Sequence, residues 1–376
     1  MNFAETVACT AKETVETVVW FYQGLITGLK PGVNERLADT YRRYASKTLM
    51  LSRVAESLYW MSRYLERAEH TARLLDLNLN LMLDQAPDPD GLRWPRLLES
   101  LMVVLPAESK TDAYSIAQVL TFDAKNKASI IACMNVAREN ARQVREQISS
   151  EMWEQLNQLF LQIRRAGAGK TWQATPHLFF RDVKEGAHLF QGITDSTLSH
   201  SEGWHFIQAG RFIERASVTA TLLEAHVGEL FEPRDSEAGR SYYLDMVGLL
   251  KSCTAFEAYC KVYTADLSPE RIAEFLLLNS EFPRSVRFAA EMIQTALNAI
   301  SELAETRKNG RANRLAGRLR AALGFGQIDE IMGGGLRPYL HDIQRQCAQI
   351  HTAIYQQYVS YPIEAALGAE GRQANQ

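Results

Sequence analysis

Arg63, Glu66 and Arg67 stand at i, i+3 and i+4, a spacing that projects all three side chains from one side of a helix, and Arg211, Glu214 and Arg215 repeat it. Such a set admits three kinds of chemistry. On a solvated face it forms local ion pairs worth roughly a few tenths of a kcal/mol each. Between helices it forms a paired network or offers guanidinium forks to a carboxylate or phosphate. If a glutamate is desolvated and its pKa shifted, Glu66 or Glu214 could move a proton, with Glu139 as a third candidate. A solvating face needs charge but no particular order, whereas both segments keep Arg-x-x-Glu-Arg.

The second polar concentration lies between Val136 and Trp153. Read as one helix, it lines up Arg138, Arg142 and Arg145 at i, i+4 and i+7, with Asn140 and the acids Glu139, Glu146 and Glu151 nearby. Three guanidinium groups on one face suit an anionic small molecule, a peptide or a protein partner. The corresponding stretch from Ile293 onward has lost these charges, an asymmetry between related segments.

Other spacings lead to weaker chemistry. Glu202-Gly-Trp-His205 has the Glu-x-x-His spacing of four-helix di-iron sites, which need a second copy and two further carboxylates. The related segment reads Glu56-Ser-Leu-Tyr59, so no metal site and no cofactor are expected. Ala166-Gly-Ala-Gly-Lys-Thr171 lacks the spacing of a phosphate loop and follows no strand, and is read as a flexible connection. Cys253 and Cys260, seven apart on one helical face, are read as core cysteines.

The elements that must position these groups come in two related sets. Arg63-Tyr-Leu-Glu-Arg-Ala68 recurs as Arg211-Phe-Ile-Glu-Arg-Ala216, and the match runs without gaps from Leu65 to Asp76 on Ile213 to Glu224. A second echo links Phe122-Asp123 and Ser129-Ile130 to Leu278-Asn279 and Ser285-Val286; a weaker one pairs Phe180 to Ile193 with Leu336 to Ile350. The chain reads as a duplicated helical unit, with repeats at about 50–198 and 199–358. Apolar residues at 51, 54, 58, 61, 65, 68, 72, 75, 79 and 82 alternate by three and four, which predicts one helix with a continuous buried seam. Its roughly 33 residues would reach about 50 Å. The seam recurs from Phe206 to Val227, and the motif side faces away from it.

Further helices are predicted near 94–105, from Asp112, over 127–165 with Asn126 as N-cap, and over 182–197. The second half adds 242–263, 269–278, 283–305 with Pro283 in the first helical position, 312–323 and 336–358. No strand pattern occurs, so the fold class is all-α: a duplicated antiparallel helical-bundle unit with long helices. Residues 1–49 form an arm or extension with no counterpart in the repeat, and 359–376 a frayed tail.

With 46% apolar residues in 376, the chain can bury a large core. Its 41 basic and 44 acidic residues give a net charge of −3, so no overall field argues for nucleic acid or an anionic membrane. Five cysteines without CxxC spacing and no apolar run long enough to span a bilayer lead to the expectation of a cytoplasmic protein.

At its motif residues the chain resembles the bacterial alpha-E domain family. The likeness rests on Met50 to Leu75, Ala137-Arg-Glu-Asn-Ala-Arg142, Ser149-Ser-Glu-Met-Trp153, Gly203-Trp204 with Gly210-Arg211, and Leu278-Asn-Ser-Glu-Phe-Pro-Arg-Ser285, and covers about Met50 to Tyr358. The resemblance implies an all-helical protein encoded beside, or fused to, a circularly permuted ATP-grasp protein, and near transglutaminase-like proteins. ATP-grasp enzymes form amide-type bonds, so it implies a role in peptide or amide synthesis. The expected function is an accessory, substrate-presenting or regulatory partner of such a ligase. An enzyme of the same pathway working through its Glu/Arg clusters and a non-catalytic helical scaffold are the alternatives.

Overall fold

The computed structural model describes residues 52–83, 91–106, 110–169, 172, 174–230, 239–264, 266–303 and 310–359. The expected arm at 1–49 and, from residue 360 on, the expected tail at 359–376 lie outside them. Every regular element among the described residues is helical.

The alternation of three and four builds helix α1, Ser52–Leu83. Its seam residues Leu58, Met61, Leu65, Ala68, Ala72, Leu75 and Leu79 are all buried. After α2 (Arg93–Ser100) and α3 (Ala113–Phe122), α4 (Ile130–Gln143), α5 (Ser150–Gly169) and α6 (Pro176–Thr197) complete a ring in which α1 touches α4 and α6, and α5 touches both of those. The second half opens with α7, Glu202–Ala225, followed by α8 (Val227–Leu230), α9 (Gly239–Ser252), α10 (Phe256–Tyr263) and α11 (Pro269–Leu278). Then α12 (Val286–Leu303), α13 (Arg311–Phe325), α14 (Ile328–Gly334) and α15 (Leu336–Ile354) follow, with a π-turn at Tyr355–Val359. Here α7 touches α12 and α15, and α13 touches both. The two rings join along α1 and α7.

One capping device starts α4 and α12. Ser129 Oγ accepts from the Ala132 N–H at 3.2 Å and donates to the Asp123 carbonyl at 2.7 Å. Ser285 Oγ accepts from the Phe288 N–H at 3.0 Å and donates to the Asn279 carbonyl. Each hydroxyl satisfies a free amide of its helix and ties down the loop before it. The cap therefore sits three residues beyond Asn126, whose side chain accepts from the Ala128 N–H within the turn. Pro283 lies two residues before the cap, outside the helix.

Three further expectations need correction. The helix predicted over 127–165 ends at Gln143, where Val144 leaves helical geometry, and restarts with Ser149 Oγ accepting from the Met152 N–H. Ala137, Ala141, Val144, Ile148, Met152 and Leu156 are all buried, so the apolar period runs through the break and hides it. The stretch at 166–169 is not a loop but the last turn of α5, where a Cβ on Gly167 would lie 2.7 Å from the Phe122 ring. The helix predicted over 242–263 is divided at 253–255, which puts Cys253 outside the helix that carries Cys260.

Candidate functional site

Glu66 and Glu214 meet the arginines of the opposite copy. Arg63 Nε and Arg67 Nε donate to the two oxygens of Glu214 at 2.8 and 2.6 Å. Arg215 Nε and Nη2 donate to the two oxygens of Glu66 at 2.7 and 2.9 Å, while its Nη1 donates to the Pro283 carbonyl at 3.2 Å. The solvated-face reading of the motif is thus overturned. Because α4, α6 and α7 all surround α1, the side turned away from its seam is also interior. Glu66 is 0% exposed and Arg67, the most open of these five residues, 31%.

The backbones come close enough for this exchange because Gly210 has no side chain. A Cβ there would lie 2.3 Å from both the Tyr59 carbonyl oxygen and Ser62 Oγ. Aromatic rings finish the guanidinium surfaces: Arg63 lies 4.9 Å from the Trp60 ring centre, Arg67 5.2 Å from Tyr64 and Arg215 5.3 Å from Phe212.

Burial alone would raise both glutamates toward the neutral acid. For Glu66 the Arg215 and Arg284 guanidinia outweigh it and hold the carboxyl well below its usual range; Arg63 and Arg67 do the same for Glu214. A carboxylate so held is a poor proton acceptor, and the lone pairs that would take the proton are occupied. Glu66 and Glu214 are therefore held as charged, hydrogen-bonded carboxylates by the guanidinia around them.

Around Glu66 the pairing grows into a network special to the first copy. Gln191 donates to Glu66 at 3.2 Å, and Arg284 bridges from Glu66 at 3.4 Å to Glu69 at 2.8 Å. Arg73 also pairs with Glu69, and His188 stands 3.4 Å away. The aligned residues of the second copy are Ser217, Val218 and Thr221 in place of Glu69, His70 and Arg73, and their hydroxyls bond back to their own helix. Desolvation pulls His70 down to about 4, and its Nε2 has no hydrogen-bond partner among the described residues. Desolvation, with Arg284 repelling it, takes Arg73 down to about 9.

The remaining candidates lie elsewhere. Arg138 bonds Asn157 at 2.7 Å and Glu139 at 2.8 Å, and Arg142 bonds Glu139 at 2.8 Å while 60% exposed. Asn140 donates to its own helix at the Val136 carbonyl. Arg145 is not on the helix of the other two: it sits in the short 3-10 turn Arg145–Gln147, and it and Arg138 lie 5.3 and 5.5 Å from the Trp153 ring centre. The single stripe is therefore divided: Arg138 and Arg145 lie against Trp153, while Arg142 joins them only through Glu139. Glu139 is a partly open carboxylate spent on two arginines. Burial pushes the Cys133 thiol up to about 12 and those of Cys253 and Cys347 to about 11, away from any nucleophilic state.

Residues 50–359 match the model of Alpha-E, described as a predicted alpha-helical domain with a conserved ER motif. The chain belongs to the Alpha-E family. Within the matched residues the Glu-Arg dipeptide occurs at Glu66-Arg67, at Glu214-Arg215 and, exposed, at Glu270-Arg271. In this Alpha-E chain the first two form a clasp between copies. Uncharacterized proteins of Mycobacterium bovis and Mycobacterium tuberculosis are 22% identical over 325 residues, covering 80% of this chain and 35% of theirs. The chain therefore spans about a third of the length of these curated relatives. No solved structure matches significantly. No helix among the described residues of the Alpha-E unit is long and apolar enough to cross a membrane.

The sequence reading missed Glu69, His70, Arg73, Gln191 and Arg284. Glu69 and Arg73 carry the i, i+4 signature, and their replacement by Ser217 and Thr221 marks them as belonging to one copy. Arg284 had no such signal: it is a loop residue brought in by the capped turn before α12.

Proposed function

We propose that this Alpha-E chain is an accessory, substrate-presenting or regulatory partner of an ATP-grasp-type amide ligase, with no ligase activity of its own. The observation that carries the reading is the reciprocal clasp. The charged residues most suggestive of catalysis, Glu66 and Glu214 with Arg63, Arg67 and Arg215, neutralise each other across α1 and α7, so they brace the fold. The curated relatives add support, since about two thirds of their length lies outside the matched segment and this unit there shares a chain with other polypeptide. The exposed Arg142 and Arg145, with the half-buried Arg138 and Trp153 beside them, offer an arginine-and-aromatic surface of the kind that protein interfaces favour. A transglutaminase-like protein is a second candidate partner, on the resemblance alone, and the cytoplasm is the compartment in which such a ligase would work.

The test measures ATP turnover and amide formation with this chain alone, the cognate ATP-grasp protein alone, and both together, repeated with Arg142→Ala. The accessory reading expects turnover only where the ATP-grasp protein is present and a higher rate with both. Ligation by this chain alone would sink it. An unchanged rate for the Arg142→Ala mixture would remove Arg142 from the contact.

A further inference from the structure

Arg311, Arg314, Arg318, Ala322 and Phe325 recur every three or four residues along α13, so they share one side of it, and all five are exposed. The core takes the other side, where Ala312, Ala316, Leu319 and Leu323 are buried. The stripe runs for about 21 Å. No residue of α13 is acidic. Arg311 and Arg318 donate to neutral amides, Gln356 at 3.2 Å and Gln349 at 3.4 Å, so these hydrogen bonds leave both charges standing. Asp342, one heptad before Gln349 and therefore on the same side of α15, is already held by Arg345 and Gln346.

Where the stripe ends, a groove of about 530 Å³ opens between α13, α14 and α15, lined chiefly by Ala322, Phe325, Ile331, Gly334, Pro338 and Tyr339. That is the size of sites that seat a ligand or a few side chains. Phe325 is 86% exposed, and the Tyr339 hydroxyl is buried with no hydrogen-bond partner among the described residues. Glu330 also lines the groove and, like the adjoining Asp329, is exposed. The surface therefore changes character along its length, from positive through apolar to negative.

We propose that this surface docks an acidic protein segment, its carboxylates laid on Arg311, Arg314 and Arg318 and a bulky apolar side chain seated in the groove beside Phe325. Guanidinium forks suit carboxylates, and an arginine row running into an exposed aromatic is what protein interfaces enrich. Beyond the apolar anchor the segment is neutral or basic, where it meets Glu330. A nucleic-acid strand or an anionic bilayer would carry its negative charge on across the groove, against Asp329 and Glu330, whereas a polypeptide can change sign along its length. The inference goes beyond the accessory reading and does not depend on it.

Fluorescence anisotropy with the full chain tests it. The probes are two fluorescein-labelled, alanine-based peptides carrying three glutamates at intervals of three and four, then two leucines, then a lysine, written in opposite chain directions. Saturable binding is expected for at least one direction, and at least tenfold weaker binding once its glutamates become glutamine or its leucines serine. Arg311→Glu with Arg318→Glu should weaken it at least tenfold. Gly334→Leu should weaken it at least fivefold, since a Cβ there meets nothing within 4 Å and the longer side chain would occupy the groove. Arg320→Glu, at an exposed position on another side of α13, should bind as the parent does. Circular dichroism checks each variant, and the substituted peptides keep the test open if one fails to fold. No saturable binding in either direction, a glutamine peptide that binds equally, or parental binding by the doubly substituted chain each overturns the proposal. So does tighter binding of phosphatidylserine vesicles or a single-stranded oligonucleotide through the same two arginines. None of these outcomes touches the accessory reading, which ligation by this chain alone would overturn.

Discussion

Arg215 grips Glu66 through two parallel hydrogen bonds, Nε to Oε1 at 2.7 Å and Nη2 to Oε2 at 2.9 Å, with both side chains buried. A fork-on-fork pair needs the planar guanidinium, and a lysine ammonium cannot reproduce it. Arg215→Met leaves the Glu66 charge without its main partner and should cost about 3–5 kcal/mol. Arg215→Lys should recover part of that loss. Arg67→Lys should cost less than Arg215→Lys, because Arg67 is 31% exposed and Arg63 also holds Glu214. Urea melts of the three variants rank them; equal effects at Arg67 and Arg215 would contradict the asymmetry.

Gly210→Ala should destabilise by about 1–3 kcal/mol or more, the usual cost of forcing atoms into a packed contact. Part of the clash is with the Tyr59 carbonyl, which cannot move without moving α1. Gly192→Ala, at a helical site where a Cβ meets nothing within 4 Å, is the control and should be neutral or slightly stabilising. Parallel thermal melts decide between them.

Stability should fall in two stages with decreasing pH. His70 titrates near 6.5 when unfolded but near 4 when folded, so between those values the unfolded chain binds the extra proton and stability drops as pH falls. This residue alone supplies on the order of 3 kcal/mol over that window. Glu66 and Glu214 are depressed in the folded state, so their contribution is complete above the ordinary carboxyl range and is lost only as pH falls below it. His70→Val, which installs the residue found at the aligned position 218, should shrink the first stage, to which the desolvated His188, His226 and His351 also contribute, and spare the second. Urea melts at intervals from pH 7 to pH 3 measure both; an unchanged first stage in the variant would remove His70 from the account.

A chain beginning at Met50 should keep its helicity and melt cooperatively, because both rings and the clasp lie within the described residues from Ser52 onward. Circular dichroism of that shortened chain checks it. Loss of the cooperative transition would mean that residues 1–49 contribute to the core.

The all-helical fold was legible because Leu58 to Leu79 and Phe206 to Leu223 carry an apolar period that only a helix can bury on one side. The break at Val144 was not, since Ala141, Val144 and Ile148 keep that period across it. The clasp was half legible. Spacing shows that Arg63, Glu66 and Arg67 share a side, but the i, i+4 rule speaks only of neighbours on one helix, whereas the partner of Glu66 lies on another. Arg284 was silent for a related reason: its position follows from the Asn279 and Ser285 turn and not from any period. That Arg211 stands by Asp195, at 3.9 Å, and not on Glu66 could be seen only by comparing which carboxylate each copy reaches.

The exchange of partners between the copies has a consequence for how such a chain could arise. A single copy carrying Arg-x-x-Glu-Arg exposes one carboxylate and two guanidinia that have no complement on their own helix, yet two such copies related by a twofold axis satisfy each other, as in an isologous dimer. Joining them in one polypeptide makes the association independent of concentration, and it frees the halves from having to remain identical. Only then can one half acquire Glu69, His70 and Arg73 while the other keeps Ser217, Val218 and Thr221, and only then can one arginine of four leave its carboxylate without its twin doing the same.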